Sequence, residues 1–199
     1  MKYLGEFTLG SIDSLITNFV VISSALGGNV ANDKYLLILF CLANCFGDGL
    51  SMAVSQYNNK STEIAQKLSK NKSAFLSALV TFISFVIVGL VPIIPFIYYS
   101  NDEIYIAKKL SILVTLVSFF IIGMIKGYYL KCCMTTYGLQ TLALGSSAAL
   151  IAFSIGKFVE QYNDIEETYD KSQEVQKTKS YSSQNLTQQN PQITIQLRR

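Results

Sequence analysis

Asp48 and Met52 stand one helical turn apart within an apolar stretch from Tyr35 to Tyr57. That stretch is long enough to cross a bilayer, where an Asp at a helix centre costs roughly 2.5–3.5 kcal/mol. An acid kept at such a depth faces a cavity, a partner or an ion path. Asp13 lies near the start of the preceding apolar stretch, and no other Asp or Glu falls well inside the stretches expected to span. Asn44, Asp48, Met52 and Gln56 follow one another at intervals of four, which puts them in one row on a helix, flanked by Cys41, Cys45, Ser51 and Ser55. Carboxylate and amide oxygens suit hard or borderline divalent cations, and a thioether adds softness. Such a row fits iron(II) or manganese(II) better than calcium or magnesium. The alternative for Asn44, Ser51 and Gln56 is helix–helix glue, for Met52 core filling, and for Asp48 a paired structural acid.

Asp13 has Thr17 and Asn18 on its next turn. Only a short link, about 31–34, separates the first two apolar stretches, so they are expected to pack as an antiparallel hairpin. That brings Asp13 and the second half of the Asp48 stretch toward the same side of the membrane. Two nearby acids repel when both are ionised, which favours a shared cation or, without one, a proton. Metal/proton exchange would rest on that repulsion.

The elements that must hold these groups are read from composition. Half the residues are hydrophobic and only 15% are charged, against about 25% in ordinary soluble domains. Five stretches reach the roughly 20 residues a bilayer needs: about 9–30, 35–57, 74–99, 110–130 and 139–159. The reading is an all-α integral membrane protein, a five-helix bundle over 1–160, with a polar tail over 161–199. The third span contains Pro92 and Pro95, which should kink or end it. The first is expected to remain as a signal-anchor helix, since it shows no cleavage site. The net charge of +3 is small and dispersed, which argues against nucleic-acid binding.

An odd span count puts the termini on opposite sides. Lys2, Lys60, Lys67, Lys70, Lys72 and Lys131 fall on the side of the N-terminus, against Lys34, Lys108, Lys109 and Lys157 on the other. The positive-inside rule then makes the N-terminus cytoplasmic and the C-terminus lumenal. From about Gln161 the chain turns to Gln, Ser, Asn, Thr and Lys, and disorder is expected. Asn185-Leu186-Thr187 is a glycosylation sequon on the lumenal side. No internal repeat is evident, so a pore built from few helices would form between two subunits.

Gly123 with Gly127, and Gly145 with Ala149, are small-residue pairs suited to close helix packing or to a subunit interface. Lys126, between the two glycines, should snorkel to the cytoplasmic interface. Cys41 and Cys45 read as small apolar residues. Cys132 and Cys133 lie just past a span, where S-palmitoylation is a weak alternative.

Four segments, GSIDSLITNFVVISSAL at 10–26, ANCFGDGLSMAVSQY at 43–57, NKSAFLSALVTFISFVIVGLVPIIPFI at 71–97 and LALGSSAALIAFSIGKFVE at 142–160, resemble the vacuolar iron transporter family. That family includes the yeast calcium-cross-complementing transporter and the plant nodulin-21-like proteins. The fourth span matches loosely, through IIGMIKG at 121–127; G-D-G-L-S-M and G-x-V-P-x-x-P are the most specific parts. The resemblance implies a homodimer of five-helix protomers that exports iron(II), often manganese(II), from cytosol to a vacuolar or other endomembrane lumen against protons. It implies Asp13, Asp48 and Met52 as metal residues, the metal as cargo and no permanently bound cofactor. Three departures stand out: Ser14 where the family commonly has Gly, Gln56 where many members have Glu, and a connection over 58–73 carrying one acid, Glu63. That connection is too short for the Glu- and Met-rich cytoplasmic domain of iron-transporting members and resembles the nodulin-like branch.

The competing reading is a non-transporting membrane protein in which the same acids hold a bundle or partner together. An enzyme is the weakest reading, because the chain has no histidine, no ligand cluster in a loop and no nucleophile motif.

Overall fold

Asp33 and Ser73, two short polar residues before apolar runs, start two of the long helices. The Asp33 carboxylate accepts from the Tyr35 and Leu36 amides at 3.1 Å, and the Ser73 hydroxyl from Leu76 N–H at 3.5 Å. The computed structural model describes residues 3–29, 33–66, 73–100 and 103–189. The helices are α1 (Leu4–Gly27), α2 (Lys34–Ala65), α3 (Ala74–Gly89), α4 (Ile94–Tyr98), α5 (Ile104–Tyr129) and α6 (Met134–Gln189), and no strand occurs among the described residues. Five segments are long and apolar enough to cross a membrane: Leu4–Gly27, Lys34–Ala65, Ala74–Tyr98, Ile104–Tyr129 and Met134–Glu166. The expected all-α, five-span architecture is therefore present. Residues 31 and 32 of the 31–34 link, and Lys2, Lys67, Lys70 and Lys72 of the charge count, lie outside the described residues.

The prolines act as expected. The third span breaks after Gly89, passes through a 3-10 turn at Val91–Ile93, and resumes as α4. The Ser111 hydroxyl of α5 donates to the Pro92 carbonyl at 2.6 Å, which ties α5 to the break.

The chain divides into two units, 1–157 and 158–199. In the first, α1 packs against α2, α3 and α5. Ile22 of α1 clusters with Leu37 and Cys41 of α2, Ile93, Phe96 of α4 and Ala107 of α5. A second cluster joins Leu15, Phe19, Phe119, Ile122 and Ala149, with Phe19 and Phe119 edge to face at 6.0 Å. The small-residue pairs take part in helix packing. A side chain at Gly145 would meet the Phe119 ring at 2.5 Å, and one at Gly123 the Tyr137 carbonyl at 2.6 Å.

α5 ends in a Schellman-type turn. The Cys132 amide reaches back to the Gly127 carbonyl at 3.1 Å and the Lys131 amide to Tyr128 at 3.2 Å, with Lys131 at φ 54°, where glycine is usual.

The second unit differs from the expectation of disorder: α6 continues through Gln189. Residues 161–166 are exposed, so this helix has a local ladder without a buried face there. The run 157–189 holds neither Gly nor Pro, and the first helix breaker is Pro191. Residues 190–199 lie outside the described part.

Candidate metal site

An amide fixes the register of the first two spans. Asn18, fully buried, donates from Nδ2 to Cys45 Sγ at 2.9 Å and to the Gly89 carbonyl at 2.7 Å. Its Oδ1 accepts from Asn44 Nδ2 at 2.9 Å. One side chain thus joins α1, α2 and α3, and Gly89 leaves the room for it. A Cβ there would stand 2.9 Å from both Asn18 Nδ2 and Cys45 Sγ.

Ile22 packs with Leu37 and Cys41, and Asn18 bonds to Cys45, so α1 and α2 run antiparallel as expected. Counting from Asn18 and Cys45 at 1.5 Å per residue, Asp13 lies roughly 7.5 Å along one axis, and Asp48 and Met52 roughly 4.5 and 10.5 Å along the other. Asp13 therefore stands at a depth between Asp48 and Met52. The charges of Asp13 and Asp48 act on each other. Among the described residues neither acid makes a hydrogen bond or pairs with a cation. Asp13 is half-buried and Asp48 exposed on the protomer, with Phe46, Leu50 and Val54 exposed on the same helix.

The remaining row residues divide. Met52 and Gln56 are half-buried, on the edge of the Cys41–Cys45–Gly49–Ala53 stripe that packs inward. Asn44 commits an N–H to Asn18, which leaves its carbonyl oxygen for another partner. Cys41 and Cys45 lie in the core, in keeping with small apolar residues. Among the described residues no three His, Cys, Asp or Glu side chains cluster. Asp13 and the row within one protomer therefore offer two carboxylates, with amide and thioether atoms as further donors.

A third acid escaped the sequence reading. α1 begins at Leu4 rather than near Leu9, so Glu6 lies inside it, only 2% exposed, accepting from the Ser77 hydroxyl of α3 at 3.4 Å. Its spacing of seven from Asp13 was the available signal, because residues seven apart share a helical face.

Outside the spans, Cys132 and Cys133 are exposed. Cys133 Sγ lies 3.2 Å from Thr135 Oγ1, and hydrogen bonds from Thr135 and Thr136 bring its thiol down to about 7.

The model of the VIT family matches residues 61–157, from the end of α2 into the fifth span. Asp13, Asp48 and Met52 precede the matched segment. None of the curated proteins compared with the chain matches it.

Proposed function

We propose that this chain, whose residues 61–157 match the model of the VIT family, is a membrane metal-ion transporter that carries iron(II) or manganese(II) from the cytosol into a vacuole-like lumen in exchange for protons. The observation that carries this reading is the pair Asp13 and Asp48: two acids separated by roughly 3 Å in depth, within reach of each other's charge, and tied to no other described group. Acids serving only as struts would be locked to donors or cations, since an uncommitted carboxylate at that depth is costly. A divalent cation between them relieves their repulsion. When the cation leaves, a proton does so instead, and that exchange is the coupling.

In this reading Asp13 and Asp48 supply the charge, Met52 the softness that favours a transition metal over calcium or magnesium, and the Asn44 carbonyl and Gln56 flank the path. The exposure of Asp48 among apolar side chains supports a homodimer in which a second copy covers that face and doubles the ligand set. With Gln56 neutral and the connection after Ala65 short, the metal is taken directly from the cytosol rather than from an appended collecting domain.

Proteoliposomes containing the purified chain test the proposal. Uptake of iron(II) or manganese(II) that rises with an imposed pH gradient, and disappears in Asp48→Asn, is expected. No flux of either metal from a correctly folded dimer would return these acids to a structural role.

A further inference from the structure

At the membrane surface where α1 begins and α5 ends, the two helices leave a groove of ≈ 300 Å³. Its walls are mostly hydrocarbon, from Leu9, Ile12 and Leu130, and its polar side chains include Lys126 and Tyr129. Two independent features single it out. Gly5, on its lining, would place a Cβ with nothing within 4 Å, so the space beside α1 is open. Lys126 is half-buried and has no carboxylate partner among the described residues; its ammonium lies 6.0 Å from the neutral Tyr137 ring. The nearest acid in sequence on α1, Glu6, is turned onto Ser77 of α3 and does not line the groove.

An ammonium at the mouth of an apolar slot, at the end of two spans, is complementary to an amphiphile with an anionic head. We propose that this groove binds an anionic phospholipid, with its phosphate on Lys126 and one acyl chain along Leu9 and Ile12. Basic pockets between transmembrane helices recognise such headgroups, and a lysine whose stem is held by packing loses less entropy in doing so than a freely snorkelling one. Another cavity of ≈ 300 Å³, lined by Phe19, Leu26, Leu116 and Phe153, has no charged side chain and offers nothing to a headgroup.

The test reads lipid-dependent stability rather than transport, so its outcome is separate from that of the metal proposal. The full chain is purified in phosphatidylcholine micelles and melted with and without added phosphatidylglycerol. The anionic lipid is expected to raise Tm by roughly 5 °C, and Lys126→Gln to abolish most of that shift. Gly5→Phe should also abolish it, by filling the slot without moving backbone, while melting normally in phosphatidylcholine alone. The inference is overturned if the wild type shows no shift, if both variants keep it, or if inorganic phosphate alone reproduces it. It is equally overturned if Gly5→Cys crosslinks two protomers readily through this face, since a second copy would then be the occupant.

Discussion

Around Asn18 every hydrogen-bonding atom of a buried amide is used: two N–H groups reach Cys45 and Gly89, and the oxygen takes an N–H from Asn44. Less than two turns away, Asp13 and its counterpart Asp48 make no hydrogen bond among the described residues. Both regions put polar groups where lipid or apolar side chains surround them, and the energetic logic is opposite. In the knot, polarity is cancelled locally and what remains is rigidity. In the acid pair it is left open, which is tolerable only if something else, a cation, a proton, water or a second copy, completes it. Polarity inside a bilayer is therefore not one signal. Whether the groups are already satisfied separates scaffold from path.

That contrast is broken most directly at the acids. Asp48→Asn and Asp13→Asn keep shape and remove charge, so metal uptake by proteoliposomes should fall to background while each variant elutes and melts like the wild type. Loss of the folded species in both variants would mean that the acids belong to the scaffold after all.

The knot should respond in the reverse manner. Asn18→Ala removes three hydrogen bonds, which at the average value measured between membrane helices amounts to about 2 kcal/mol. It also orphans the Gly89 carbonyl. A lowered Tm with proportionate loss of folded yield is expected, and transport per folded molecule should survive. Gly89→Ala probes the same place by crowding rather than deletion, because its Cβ would lie 2.9 Å from the Asn18 amide; overpacking of that kind costs about 1–3 kcal/mol.

How much of this was visible in the chain differs between the two regions. The acid row follows from helical periodicity, and the five spans follow from hydrophobic length. The break at Pro92 follows from the missing amide, and the antiparallel hairpin from a short link. The knot was half visible. Asn18 stands out as an amide in an apolar helix, but its bond to Gly89 crosses 71 positions that no local pattern spans. Glu6 was lost because an apolar window ends where charge begins, whereas a helix continues as long as its ladder does. The same distinction explains the polar tail. Composition says whether a segment can bury a core, and says nothing against an exposed helical ladder free of Gly and Pro up to Gln189.

Asn44 sits on the border between the two regions and sharpens the comparison. Its N–H serves the knot while its carbonyl remains available to the row. Asn44→Ala should therefore cost about 0.6 kcal/mol, the typical value of one interhelical bond in a membrane, and also slow uptake. A variant that changed stability alone would assign Asn44 wholly to the scaffold.

Met52 gives the smallest effect and the most specific one. Leucine has nearly the same volume, and such exchanges usually cost less than about 1.5 kcal/mol, so Met52→Leu should fold and dimerise normally. The thioether is a weak ligand for manganese(II) and a better one for iron(II), because softness of the donor selects the softer cation. Competition uptake with both metals should consequently shift toward manganese(II) in Met52→Leu, with total flux little changed. An unaltered ratio would make Met52 a filler on the edge of the Cys45–Ala53 stripe and leave selection to the oxygens of Asp13, Asp48 and Asn44.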